Sequence, residues 1–511
     1  MEQLLQYWST SEQQAIELRF QQFLADCHSS NVTNANFTPS TFNNDLTNIF
    51  TKYSLRATQN YTGKKHPEPI DLYSYLKAVT EIMHDNEVAY TLYAIAAEEL
   101  DCSLEQFVSW IVKSAIPWWF IGSNLCKADN GMVWMDSEQE SGAVRLTNHL
   151  LYKAGEKRRA QQKREQLDFD VWLGNQSNTN IDSKENCEST LIWKQTVTSA
   201  TKIDKDSFED WMQHTPDFLV LLRIAARVFY LGTSIVSEKR DTHSSRLAGY
   251  ECPAISIPEG MKGLLKEGRM SRLLTAYDYF LLTRSLPPNA VSWSTSELAA
   301  RRQTEDLTHQ LLFSSRRDGT SWQIFVNRII NKGATLLIVK TRDGAIFGGY
   351  ADESWLPVTD WYGNSANFLF RLDSGTHAGV LATNIWGGGN SANDHYQYLC
   401  WGKKSLPNGI GMGGQFDYAG LWIDSDFLHG HSKAGPLCTT YQSPRLSPTE
   451  TFEIEEVEVI LVRPLLKDDD DAESGNGGIL SRAEDMEFLE MAGKKLYSRD
   501  LPQEERKDDS E

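Results

Sequence analysis

The stretch from Leu311 to Val462 limits the fold more than any other part of the chain, because it alternates β-rich segments with turn dipeptides. Leu336–Lys340 and Ala345–Tyr350 are β-rich and are split by Thr341-Arg342-Asp343-Gly344. An Asp-Gly pair between two such segments reads as a hairpin, since glycine supplies the positive φ that a tight turn requires. Asn408-Gly409 repeats the signal. From Asn393 to Phe427 glycines, aromatics and turn dipeptides are densest. Phe452 to Val462 starts as acidic/apolar alternation and ends almost continuously apolar, as a half-buried strand running into a core would. The segment predicts an antiparallel β domain.

The preceding sequence has a different period. Ser9 and Glu12, then Ser103 and Gln106, have capping-box spacing, in which side chains satisfy the free amides of a helix start. Ile16, Phe20, Phe23 and Leu24 follow the first box, and Phe107, Trp110 and Ile111 the second, all at helical intervals, with Pro117 closing the later helix. Residues 1–150 are therefore expected to be helical. The paired layout is EF-hand-like, but Asn31–Asn43 and Ala57–Glu68 lack the carboxylate count and ligand order of a calcium loop. Residues 151–205 turn polar and read as a linker. Residues 206–251 hold a helix and a loop. Thr215 as N-cap, Pro216 at N1 and Gly232 beyond its end predict that this helix buries Leu219, Leu222, Ala226 and Phe229. Met261–Arg284 reads as a helical entry to the β domain at 252–463, closed by Leu286-Pro287-Pro288. The insertion Val291–Thr308 has no sequence-based explanation. An acidic, glycine-containing linker (464–480) leads to a tail helix (481–511) that opens on the capping box Ser481–Glu484.

At 511 residues the chain has room for two or three domains. A net charge of −19 argues against a nucleic-acid binder, since affinity for phosphate backbones rests on Lys and Arg. The basic run Lys153–Arg164 is either a solvated helix face or a contact for an anionic membrane. Seven cysteines, an odd number without framework spacing, suit reduced thiols in the cytoplasm. Met1-Glu2-Gln3 offers neither a leader nor the glycine of a myristoylation signal, and Phe218–Leu231 is too short to span a bilayer. A cytoplasmic protein whose membrane contact is indirect is expected.

Several motifs occur in the order found in one family. Leu312-Phe313-Ser314-Ser315, Asp318-Gly319-Thr320-Ser321 and Phe347-Gly348-Gly349-Tyr350 resemble the opening motifs of the TLDc family. Gly420-Leu421-Trp422-Ile423-Asp424 with Asp426-Phe427, Gly430-His431-Ser432 and Cys438-Thr439-Thr440-Tyr441 resemble its closing motifs. Asn393-Asp394-His395-Tyr396 and Pro407 to Gln415 are most similar to its mTOR-associated, lysosomal branch. The resemblance covers roughly Cys252 to Val462. It implies an antiparallel β-sandwich flanked by helices, with no established catalytic residues; with the helical region read before it, the expected fold class is α+β. It further implies binding to peripheral subunits of the vacuolar proton ATPase at a lysosomal or vacuolar membrane, and links to mTOR signalling and oxidation resistance.

Residue chemistry alone suggests competing sites. Asp424, Asp426, His429 and His431 could ligate a transition metal, but in an extended chain the carboxylates face one way and the imidazoles the other. The bland alternative has Asp424 and Asp426 bonding loop amides. Cys438 with His395 or His431 could act as thiol and base, yet no neighbouring cation or helix start marks a low-pKa thiolate. An enzyme using Asp424–Cys438 is thus the alternative class. Gly387-Gly388-Gly389 and Gly411-Met412-Gly413-Gly414 lack the strand–helix context of a phosphate loop and fit tight turns. Asn393, Asp394 and His395 form either a functional surface loop or a self-satisfied turn. In the tail, Ile479, Met486 and Leu489 lean to one side while Phe488 and Met491 project elsewhere, so the helix either docks on its own chain or enters a partner's groove. Assigned as partner-binding are Asn393, Asp394, His395, Ile479, Met486, Phe488, Leu489 and Met491. No cofactor, metal or catalytic residue is assigned.

Overall fold

The computed structural model describes residues 4, 6–28, 43–62, 71–121, 136–151, 203–232, 252–261, 263–266, 269–287, 290, 308–374, 381–388 and 393–465. Most of the polar linker, the whole basic run Lys153–Arg164, most of the 291–308 insertion, most of the acidic linker and the tail residues Ile479, Met486, Phe488, Leu489 and Met491 lie outside them. So does most of the first loop weighed as a calcium site.

The helical part comprises α1 (Thr10–His28), α2 (Asn44–Thr62), α3 (Leu72–His84), α4 (Glu87–Glu99), α5 (Leu104–Ile121), α6 (137–151), α7 (Lys205–His214) and α8 (Pro216–Leu231). Both capping boxes form. The Glu12 amide donates to Ser9 Oγ (3.3 Å) and the Ser9 amide to Glu12 Oε2 (2.9 Å). Gln106 and Ser103 reciprocate in the same way at 3.2 and 3.0 Å. Ala57–Thr62, weighed above as part of a loop, belongs to α2. Pro117 does not close α5, which continues to Ile121. The residues after it explain why. Trp118, Trp119 and Phe120 are buried, with Trp119 against Phe280 at 5.0 Å between ring centroids. Burying each is worth roughly 1.5–3 kcal/mol, which together outweigh the roughly 3 kcal/mol cost of an interior proline.

Helix α8 sits at the centre of this layer, packing on α1, α3, α5 and α7. It therefore buries more than the predicted stripe. Leu222 and Ala226 are buried as expected, Leu219 and Phe229 are only half-buried, and Phe218, Leu221, Ala225 and Val228 are buried as well. Thr215 and Gly232 flank it as predicted, but the Thr215 hydroxyl donates to the Leu150 carbonyl (3.3 Å) rather than capping.

The expected helical entry is shorter than predicted. Among the described residues there, only a 3-10 turn (Glu259–Met261) and α9 (Ala276–Ser285) are helical. Ser271 Oγ accepts the amides of Leu273 and Leu274 (2.9 Å each), and Glu458 accepts the Arg272 amide (3.2 Å). Side chains thus take backbone groups that a helix would use. Helix α9 starts at Thr275, whose capping box closes with Asp278.

The strands are β1 (Ala254–Ser256), β2 (Thr308–Ser314), β3 (Gly333–Thr341), β4 (Ile346–Ala351), β5 (Phe368–Ser374), β6 (Leu381–Gly387), β7 (Tyr398–Cys400), β8 (Gly409–Gln415), β9 (Tyr418–Asp424), β10 (His429–His431) and β11 (Thr451–Pro464). Their order is β6-β5-β4-β3-β11-β10-β9-β8-β7, with β2 also on β11 and β1 parallel to β2. Every other pairing is antiparallel. Long β11 joins the two halves: Phe452 and Glu453 pair with β10, while Glu458–Leu461 pair with β2 and with β3. The halves face each other, since a Cβ on Gly349 of β4 would lie 2.4 Å from Met412 Sδ of β8. The pleat divides the core. Leu337 and Val339 point between the halves with Ile410, Leu421 and Val457, whereas Leu336 and Ile338 join the helical layer's buried cluster with Trp119, Tyr279 and Phe370. The structure is thus an α+β fold in which one sheet half is covered on both sides.

The Thr341–Gly344 hairpin forms with Gly344 at φ +87°. Asn408-Gly409 is not a second such turn. Gly409 is the first residue of β8, and the tight turn between β8 and β9 instead carries Asp417 at φ +66°.

Glu458 supplies a pH-dependent test of the junction between β11 and Ser271. It is fully buried and accepts from Ser271 Oγ at 2.5 Å. Burial pushes its carboxyl up to about 7 from 4.5. A raised carboxyl contributes stability that is complete below about 4.5 and lost as pH rises to about 7. Buried His309, which burial holds at about 4, has the opposite sign: its contribution is present above 6.5 and lost as pH falls. The difference between wild type and Glu458→Gln isolates the carboxyl. From pH 4.5 to 7 the variant should gain about 3 kcal/mol relative to wild type in urea unfolding. A flat difference would show that Glu458 is ionised in the fold.

Candidate functional site

The outer face of β7–β10 is built on missing side chains. Gly409 and Gly411 of β8 leave room for the Trp422 indole to lie across the strand, where a Cβ at either position would meet the ring at 2.7 or 2.6 Å. Trp422 stacks between Tyr398 (5.7 Å, 26°) and His431 (5.9 Å, 26°). Tyr398 meets Trp361 (5.3 Å), which stacks on His395 (5.2 Å, 17°). A continuous run of rings thus joins the two regions that the sequence singles out separately, Asn393–His395 and Asp424–His431.

At the first end, Asn393 bonds Thr439 and Thr440 (2.9 and 2.7 Å), and its Oδ1 accepts the His395 amide (3.1 Å). Thr440 Oγ1 accepts the Gly414 amide (2.9 Å), and His395 Nδ1 donates to the Gly414 carbonyl (2.5 Å). Asn393 and His395 therefore fasten a loop to β8, while Asp394 is exposed. These bonds match the self-satisfied turn.

At the other end the chain is not extended. Phe427 is buried at φ +60°, and Asp426 folds back to accept the amides of Leu428 and His429 (2.8 and 3.1 Å) and the His429 ring (2.6 Å). Burial would push Asp426 up, but the His429 bond and these amides hold it below its usual value; His429 is raised in return. Asp424 Oδ1 accepts Trp422 Nε1 (2.8 Å), and burial pushes its carboxyl upward. Among the described residues no three His, Cys, Asp or Glu side chains converge as metal ligands. Cys438 is buried, and burial raises its thiol; its bonding partners are Thr440, Ser443 and local amides rather than an imidazole.

Between β9, β10 and β11 this end opens into a cleft of about 590 Å³, lined by Asp417, Trp422, Asp424, His431, Lys433 and Glu453 among others. His431 is 9% exposed, burial holds it near 4 and hence neutral, and its Nε2 has no bonding partner. Sequence reasoning missed Trp361, Phe416, Lys433 and Glu453. Trp361 lies between β4 and β5 and is brought here by the Tyr362–Gln397 bridge, and Glu453 arrives through the pairing of β11 with β10. No described helix is long and apolar enough to cross a membrane.

Residues 270–462 match the TLDc domain family. The chain is 34% identical over 312 residues to MTOR-associated protein MEAK7 of Gallus gallus, covering 60% of this chain and 58% of that one. It is 43% identical over 209 residues to the protein of that name from Xenopus laevis, covering 39% and 42%. With Oxidation resistance protein 1 of Bos taurus it shares 26% identity over 190 residues, covering 37% and 18%. The matches thus span less than two thirds of each relative's own length.

Proposed function

The chain carries a TLDc domain at residues 270–462, and on that premise we propose that it is a non-enzymatic regulator that works by binding other proteins. Its targets in this reading are peripheral subunits of the vacuolar-type proton-pumping ATPase at the lysosomal or vacuolar membrane. The names of its relatives support a link to mTOR and to oxidation resistance. The observation that carries the reading is the outer face of β7–β10. There the polar groups capable of chemistry are spent on structure, Asp426 on a turn and Cys438 on a buried cluster, while an aromatic run with Tyr398 and Trp422 buried leads to an open cleft. A rigid sheet face of this kind suits partner contact better than bond-making. The sandwich would be the main contact, and Ile479–Met491 a second contact whose linker raises effective concentration.

A pull-down from detergent-solubilised lysosomal membranes tests this, using the full chain and a version ending at Lys467, with and without calcium. Pump subunits should be recovered by the full chain, and truncation should reduce recovery roughly tenfold or more. Equal recovery would assign binding to the sandwich alone. No recovery in any condition would refute the proposal.

A further inference from the structure

The cleft beside Trp422 has a charge pattern that specifies its occupant. Three carboxylates line it, from Asp417, Asp424 and Glu453, against the single ammonium of Lys433 and the imidazole of His429, which is taken by Asp426. Glu453 also pairs with Arg342 on the open side (2.5 Å). Asp424 spends only Oδ1, on Trp422 Nε1. His431, stacked on the same Trp422, lines the cleft with its ring nine-tenths buried and Nε2 without a partner. A buried nitrogen left unpaired loses its hydration with no return, so the cleft holds an acceptor that Lys433 does not serve. The carboxylates, Asp424 Oδ2 among them, favour N–H groups carrying positive charge, and His431 Nε2 accepts an N–H of any kind.

We propose that this cleft receives a basic side chain of a partner protein, foremost an arginine, whose guanidinium donates to Asp424 and to His431 Nε2. The planar fork of arginine offers several donors in fixed directions, which suits a carboxylate and an imidazole that line one cleft and both touch Trp422. Lysine would supply a point charge and fit less well. Lys433 acts against occupancy and sets the threshold for it. The inference rests on reading this chain as a partner-binding protein and names the chemistry of the partner's contact.

The test uses the folded full-length chain and N-acetyl-arginine amide as the probe, with the neutral isostere N-acetyl-citrulline amide as control. The His431 ring nitrogens, followed by ¹⁵N NMR, should shift saturably with the arginine probe at a Kd on the order of 1 mM, and not with citrulline. Asp424→Asn keeps the acceptor for Trp422 and should weaken binding at least roughly tenfold; Lys433→Gln should tighten it several-fold. Absence of a saturable shift, an equal response to citrulline, or indifference to both substitutions would overturn the assignment. If Asp424→Asn disturbs the fold, the sign of the Lys433→Gln effect decides. Pump capture is scored on the same samples. Arginine binding without capture would refute the proposed partner and leave the cleft assignment standing; capture without arginine binding would do the reverse.

Discussion

Arg145→Ala is expected to lower the unfolding free energy by about 3–5 kcal/mol. The Arg145 guanidinium grips Asp278 with two bonds, Nε to Oδ1 at 2.8 Å and a terminal nitrogen to Oδ2 at 2.7 Å. The two side chains are 11% and 1% exposed, so truncation would strand a charge in the core rather than release it to water. Burial pushes the Asp278 carboxyl up, and the arginine more than offsets this, leaving it below its ordinary value. Asp278 also closes the capping box of α9, so the loss reaches the start of that helix. Helix α6 meanwhile holds the edge of the sheet, where Asn148 donates to the Leu381 carbonyl and His149 Nδ1 to that of Thr383, both at 2.7 Å. The destabilisation should therefore appear in one cooperative transition that includes the sheet. Denaturant unfolding followed by near-ultraviolet circular dichroism measures it. A cost below about 1 kcal/mol would mean that the pair is solvated and does not fasten α6 to α9.

Gly348→Ala is the second substitution with a large expected effect. Gly348 lies in β4 between β3 and β5, and a Cβ there would fall 1.9 Å from the Leu337 carbonyl oxygen and 2.8 Å from the Phe370 ring. The first obstacle is backbone of a paired strand and cannot rotate away. Overpacking a core costs about 1–3 kcal/mol, and a clash with a ladder carbonyl belongs at or above the upper end of that range. Gly387→Ala serves as the control, because nothing lies within 4 Å of its Cβ position. Its effect should stay within about 0.5 kcal/mol. Similar costs for the two would mean that β4 shifts to make room.

The Asp343-Gly344 hairpin, the capping boxes at Ser9 and Ser103 and the strand at 452–462 were legible because each is a local arrangement. A turn needs its positive φ and a cap needs its hydroxyl within a few residues, so the sequence displays the cause directly. The β11 alternation even carried its change of environment: Glu453 and Glu455 alternate with Phe452 and Ile454 before the apolar run begins. The separate halves of the candidate site were legible as well, since Asn393–His395 and Asp424–His431 are each unusual in composition.

The rest was decided by tertiary packing, and the failures share one cause. Pro117 reads as a helix end by its own chemistry, but the aromatics beyond it gain more from burial against α9 than the proline costs. Residues 262–275 have apolar content enough for a helix, yet Glu458, distant in sequence, takes the Arg272 amide and the Ser271 hydroxyl. Gly409 reads as a turn residue, whereas its role is to admit the indole of Trp422 from the next strand. Asp424 and His431 read as ligands set on opposite faces, until a bend at Phe427 turns Asp426 onto His429. Sequence by itself determined which segments are helix, strand and turn wherever the deciding contacts lie a few residues apart. Only the tertiary structure decided what each polar group faces, because a hydrogen bond or a buried ring depends on distance in space, and strand order brings together residues that the chain keeps far apart.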